Sequence, residues 1–83
     1  MRVKVKFIAY LASHMGVRET MISFDDKEIT VNDVLNYLVK KYPQLRDEGV
    51  EDIIVLINGT PASNNTVVRD GDVLELLPPI SGG

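Results

Sequence analysis

The chain has no cysteine. That excludes disulfides, thiolate metal sites and a cysteine nucleophile, and it suits a reducing compartment, so the expected location is the cytoplasm. No apolar run is long enough to cross a bilayer and no signal-peptide pattern is present, so no membrane association is expected. An excess of positive charge is also missing. Nine Lys and Arg stand against 12 Asp and Glu, a net charge of −3, which argues against nucleic acid as the main partner because phosphate binding wants a basic surface. Histidine occurs once, at His14, and nothing in the chain assembles a Ser-His-Asp set, a metal cluster or a phosphate loop. Repeats and low-complexity tracts are absent.

What is present is an ordinary globular composition. The 83 residues are 45% hydrophobic and 25% charged, enough for one domain over residues 1–83 with one modest core. Residues 2–11 alternate, with Val3, Val5, Phe7, Ala9 and Leu11 on one face and Lys4, Lys6, Ile8 and Tyr10 on the other. That period of two predicts a strand with one face on the core. Residues 12–18 hold Ser13, His14 and Gly16 and read as a loop. Residues 19–24 alternate again, so an antiparallel hairpin is the expected pairing.

Asp25-Asp26-Lys27-Glu28 reads as a solvated polar break rather than a cation site, because the other ligands such a site needs are missing. Thr30 and Asp33 then have capping-box spacing, with Ile29 and Val34 placed for a hydrophobic staple. Val31, Val34, Leu35, Leu38 and Tyr42 form one apolar helical stripe, Lys40 and Lys41 suit the negative end of the helix dipole, and Pro43 ends the helix. Residues 44–52 read as loop. Residues 53–57 are a continuous apolar run of strand length, and Asn58-Gly59 signals a reversal. Residues 61–65 read as loop, and Val67-Val68 as a short strand or bridge. Asp70-Gly71-Asp72 reads as a turn rather than a pair of working acids, and residues 73–77 as a last strand. The order β-β-α-β-(β)-β predicts a two-layer α+β domain: a mixed sheet of four to five strands packed on one main helix. The continuous runs at 53–57 and 73–77 mark interior strands or strands whose outer face meets a partner.

The closing residues carry the chemistry. Pro78-Pro79 ends the last strand, since neither donates to a ladder and each fixes φ near −65°. Residues 78–83 are expected to form a flexible tail, with a reach of about 20 Å if extended. Gly82 and Gly83 lack Cβ atoms and so suit a narrow cleft, and the distinctive group of the tail is the α-carboxylate expected at Gly83. If the first and last strands are neighbours, Ile8, Tyr10, Val73 and Leu77 are expected to form an apolar partner-binding patch near that tail.

The opening Val3-Lys4-Val5-Lys6-Phe7-Ile8-Ala9, the Ile57-Asn58-Gly59 and Asp70-Gly71-Asp72 segments, and above all Pro78-Pro79-Ile80-Ser81-Gly82-Gly83 resemble the ubiquitin-like β-grasp family. Within it they resemble MoaD, the small sulfur-carrying subunit of molybdopterin synthase. The resemblance spans essentially the whole chain, although Leu76-Leu77 stands where the family often has an aromatic residue. It implies that a MoeB-like adenylating enzyme uses ATP to turn the Gly83 carboxylate into an acyl-adenylate. A sulfur donor then leaves a thiocarboxylate, and a MoaE-like large subunit receives the tail beside cyclic pyranopterin monophosphate. Gly83 is then the reacting residue. Gly82, Ser81, Ile80, Pro79 and Pro78 thread the cleft, and the chain itself binds no metal or cofactor and leaves the catalytic site to the large subunit. Two alternatives stay open from the residues: a protein modifier joined to lysine amines through the same diglycine, and a passive binding module.

Overall fold

The computed structural model describes residues 1–79. The chain opens with β1 (Arg2–Phe7), turns through the short helix α1 (Tyr10–Met15) and returns as β2 (Glu19–Ser23). There follow β3 (Glu28–Thr30), the main helix α2 (Val31–Lys41), two 3-10 turns (Pro43–Glu48 and Val50–Asp52), β4 (Ile54–Ile57), β5 (Thr60–Ala62), β6 (Val67–Arg69) and β7 (Val73–Leu77). The main sheet has the order β2-β1-β7-β4-β5, and β3 and β6 form a second, two-stranded sheet. The β1–β7 pair is parallel; the β1–β2, β4–β7 and β4–β5 pairs are antiparallel. The last long strand in sequence is therefore the middle strand in space, and its apolar run is explained by strands on both sides.

α2 forms where its capping box and apolar stripe predict. Asp33 N–H donates to Thr30 Oγ1 at 3.3 Å and Thr30 N–H donates to Asp33 Oδ2 at 3.0 Å, so two otherwise orphaned donors are satisfied reciprocally. Val31, Val34, Leu35 and Leu38 are buried. They pack on the inner sheet face made by Val3, Val5, Phe7, Ile22, Val55, Leu74 and Leu76, and each fully buried side chain of this kind stabilises the fold by roughly 1.5–3 kcal/mol. Tyr42, at the end of α2, meets the Phe7 ring edge-on with centroids 6.0 Å apart.

The structure departs from the sequence reading in four places. The first strand stops at Phe7 and does not run to Leu11, because Ala9 takes φ 54° and ψ −136° and sends the chain into α1. The spacing of Leu11 and Met15 is also helical, and both side chains are buried, at 0% and 5% exposure. An alternation of two and an i, i+4 pair overlap here, and the core selects the second. Gly16, with φ 79°, ends the helix within the segment read as loop. The polar break at 25–28 is shorter than expected, since Glu28 begins β3, and Arg69 of β6 lies 3.5 Å from its carboxylate. Residues 44–52 hold the two 3-10 turns and bury Leu45 completely. Pro61 and Ala62, read as loop, form an edge strand against β4, the sheet position that tolerates a proline.

Candidate functional site

The outer face of the main sheet, away from α2, has two ends of different character. At the end where β7 begins, the turn residues are bound into the sheet. Arg2 N–H donates to Asp70 Oδ1 at 2.7 Å, and Gly71 N–H donates to the Arg2 carbonyl at 2.8 Å. Asp72 Oδ2 accepts from Arg69 N–H at 2.8 Å and its Oδ1 accepts from Asn58 Nδ2 at 3.0 Å. Asn58 Oδ1 in turn accepts from Val73 N–H at 3.0 Å. Asn58 and Gly59 have φ of 50° and 85°, the left-handed pair that a tight hairpin turn needs. Both carboxylates therefore hold backbone donors, and Asp70 and Asp72 form the turn that their sequence signals.

At the other end of β7 the surface is apolar. Side chains alternate along the strand, so Leu74 and Leu76 are buried while Val73, Glu75 and Leu77 are half-buried and point outward. The register sets Lys4 beside Val73, Lys6 and Leu56 on either side of Glu75, and Ile54 beside Leu77. Ile8, one residue past β1, donates its N–H to the Leu76 carbonyl at 3.0 Å and is half-buried. Ile54 remains 37% exposed, and Pro61, paired with Leu56, is exposed. Ile8, Leu77, Ile54, Leu56 and Pro61 thus occupy one corner of the sheet. A contiguous apolar corner rimmed by Lys6 and Glu75 is the kind of surface that a protein partner covers.

β1 and β7 are neighbours, as the patch requires. Of its four residues, the structure brings Ile8 and Leu77 together. Val73 sits four residues up the strand, about 13 Å away at the strand repeat, beyond the Lys6–Glu75 row. Tyr10 lies on α1 and not on the strand, because the chain turns at Ala9, and is 51% exposed. Ile54 and Leu56 are corner residues that the sequence reading did not single out, although the unbroken apolar run at 53–57 signals them, since alternate members of such a run must face outward.

Pro78 and Pro79 follow directly from this corner and are both half-buried. Ile80, Ser81, Gly82 and Gly83, the rest of the expected tail, lie outside the described residues. His14, read as part of a loop, sits on α1, with its Nε2 2.8 Å from the Gln44 carbonyl oxygen, so it links α1 to the first 3-10 turn. Among the described residues no group of three or more His, Cys, Asp or Glu is arranged to hold a metal, and no helix is long and apolar enough to cross a membrane.

Comparison with known proteins agrees with this geometry. Residues 5–83 match the ThiS family. The chain is 38% identical over 85 residues to small archaeal modifier protein 1 of Haloferax volcanii, covering 94% of this chain and 97% of that protein. It is similar to the structure of a putative molybdopterin converting factor subunit 1 from Pyrococcus furiosus, with 27% identity, a TM-score of 0.82, and coverage of 96% of this chain and 99% of that one. It is also similar to a chain in the complex of subunits 1 and 2 of the molybdopterin-converting factor from Helicobacter pylori, at 25% identity and a TM-score of 0.66 with full coverage of both chains.

Proposed function

The chain belongs to the ThiS family of ubiquitin-like β-grasp proteins, and from that premise we propose that it is a sulfur carrier acting as the small subunit of a molybdopterin synthase. With Gly83 as the mature terminus, a free carboxylate is a poor acyl donor because oxide would have to leave. In a MoeB-like enzyme the carboxylate oxygen attacks the α-phosphorus of ATP, forming an acyl-adenylate and releasing pyrophosphate. A sulfur donor then displaces AMP, and the product is a thiocarboxylate. A MoaE-like large subunit takes the tail and passes its sulfur to cyclic pyranopterin monophosphate, supplying the catalytic groups itself. The work is assigned to the cytoplasm, where ATP and a reducing milieu are at hand.

The observation that carries this reading is the join between β7 and the tail. The strand before Pro78 is the middle strand of the sheet, held by β1 and β4, so the tail starts from a rigid base. Leu77, Ile54 and Ile8 lie at that base on an apolar corner suited to the partner that receives the tail. The Helicobacter pylori complex, in which a similar chain is paired with subunit 2, supports a partner of this kind. Intact-mass analysis after incubation with the adenylating enzyme, ATP and a sulfur donor tests the proposal. An oxygen-to-sulfur gain at Gly83 is expected, and an unchanged mass argues against carriage.

A second reading has a specific observation in its favour. The Haloferax volcanii relative at 38% identity is named a modifier, and conjugation starts from the same acyl-adenylate. Gly-Gly remnants on cellular lysines, lost when Gly83 is deleted, are the outcome expected for conjugation. A passive module is distinguished from both by adding one residue after Gly83, which it tolerates and which abolishes adenylation of a carrier or a modifier.

A further inference from the structure

β1 and β7 stop pairing at the same rung, and each strand has its own reason. Along their parallel ladder Lys4 N–H donates to the Asp72 carbonyl at 3.1 Å and Ile8 N–H donates to the Leu76 carbonyl at 3.0 Å. In the slanted pattern of a parallel pair, a residue that donates to one position accepts from the position two further along. The next bond would therefore run from the N–H of residue 78 to the Ile8 carbonyl. Residue 78 is proline and has no N–H. The Ile8 carbonyl instead accepts from Leu11 N–H at 3.2 Å, inside the turn made by Ala9. On its other flank β7 is still paired one residue later, Leu77 with Ile54.

The geometry points to Ala9 as a positioning residue for the carboxyl-terminal segment: its left-handed turn and the missing donor of Pro78 together end the β1–β7 ladder, so that the chain leaves β1 at Pro78. This rests on the reading above, in which an adenylating enzyme must take hold of that segment. Either device alone leaves a rung available. A proline opposite an extended β1 still offers its carbonyl to the N–H of residue 10. A turn opposite a residue with an N–H leaves that donor competing with Leu11 for the Ile8 carbonyl. The competition is real for this chain, because its alternation of apolar and polar residues continues to Leu11 and suits a longer strand. What holds the turn closed is the burial of Leu11 and Met15, at 0% and 5% exposure, which an extended β1 would withdraw from the core. The backbone at Ala9 lies in a region that glycine enters freely and alanine does not, so the turn is imposed by its surroundings and not by local preference.

The test uses the full chain with Ala9→Val, which disfavours the positive φ, Pro78→Val, which restores the donor, the pair together, and Ala9→Gly, which keeps the turn. Amide hydrogen exchange at residue 78 is measured in the two variants that carry Pro78→Val, and the kcat and KM of adenylation in all four and in the wild-type chain. In the double variant the residue 78 amide is expected to gain protection, and kcat/KM to fall by about tenfold or more, beyond the product of the single effects. Ala9→Gly is expected to keep wild-type activation, which a loss of core packing would not predict. An unprotected residue 78 amide in the double variant overturns the inference, and so does a protected one with unchanged activation. If circular dichroism shows that Ala9→Val does not fold, Pro78→Val is compared with and without Ala9→Gly. Glycine relaxes the positive φ and favours the turn, so the residue 78 amide is expected to be less protected and adenylation faster in the glycine pair than in Pro78→Val alone. Equal or greater protection in the glycine pair overturns the inference. Failure of the wild-type chain to be adenylated sinks the functional reading itself. Adenylation that is indifferent to a zipped segment sinks only the role of Ala9.

Discussion

Asn58 and Asp72, fourteen residues apart, are joined by a hydrogen bond of 3.0 Å from Asn58 Nδ2 to Asp72 Oδ1. The same asparagine accepts from Val73 N–H, and the same aspartate accepts from Arg69 N–H. Two turns that are each legible as local signals are thereby fastened to one another at the start of the central strand. Removing either side chain leaves backbone donors without their partners. Asn58→Ala is expected to destabilise the protein by about 1–2 kcal/mol, as is Asp72→Ala. The double variant should lose less than the sum, with a coupling of at least about 0.5 kcal/mol. Urea unfolding of the four species measures this, and strict additivity would show that the bond contributes nothing.

Thr30 caps α2 through a reciprocal pair of bonds with Asp33. Thr30→Ala is expected to cost about 1 kcal/mol, and Thr30→Ser much less, because serine keeps the acceptor. The midpoint of chemical unfolding reads both. Equal losses from the two substitutions would point to the threonine methyl group and not to the cap.

Leu11 decides between strand and helix for residues 9–15. It is fully buried on α1, so Leu11→Ala is expected to cost about 2–5 kcal/mol. Ser13→Ala, on an exposed position of the same helix, should change stability by less than about 0.5 kcal/mol. Thermal unfolding of the two variants compares them directly, and similar effects would mean that α1 is not packed as described.

The apolar corner is tested by charge. Leu77→Asp and Ile54→Asp are each expected to weaken binding to a MoaE-like subunit by about tenfold or more, corresponding to ~1.4 kcal/mol. Val73→Asp, at the far end of the strand, should weaken it far less. Titration calorimetry with far-UV circular dichroism as a folding control separates lost contact from lost structure. Equal effects at positions 73 and 77 would return the docking surface to the whole length of β7.

Much of the fold is legible where one local signal dominates. The capping box with its stripe from Val31 to Leu38 writes α2 plainly, because spacing and capping agree. Asn58-Gly59 and Asp70-Gly71 write their turns for the same reason. Legibility fails where two patterns coexist or where a strand is too short to show a period. Residues 9–11 fit both an alternation of two and a helical pair. Three-residue strands such as β3 and β5 exist only because a partner strand lies alongside. At the corner, Ile8 and Leu77 were within reach of strand arithmetic, whereas placing Ile54 beside Leu77 required the β4–β7 register.

By itself, the order of residues determined the two-layer α+β class, the main helix with both its ends, the turns, and a proline-terminated last strand followed by a diglycine. These depend on backbone preferences and spacings that act within a few residues. Only the tertiary structure decided that β7 lies between β1 and β4, that the chain bends away at Ala9, and that Val73 is separated from Leu77 by a charged row. Those outcomes depend on which apolar side chains share one interior. That is a competition among segments distant in the chain, and at Ala9 it overrode the local preference of the backbone.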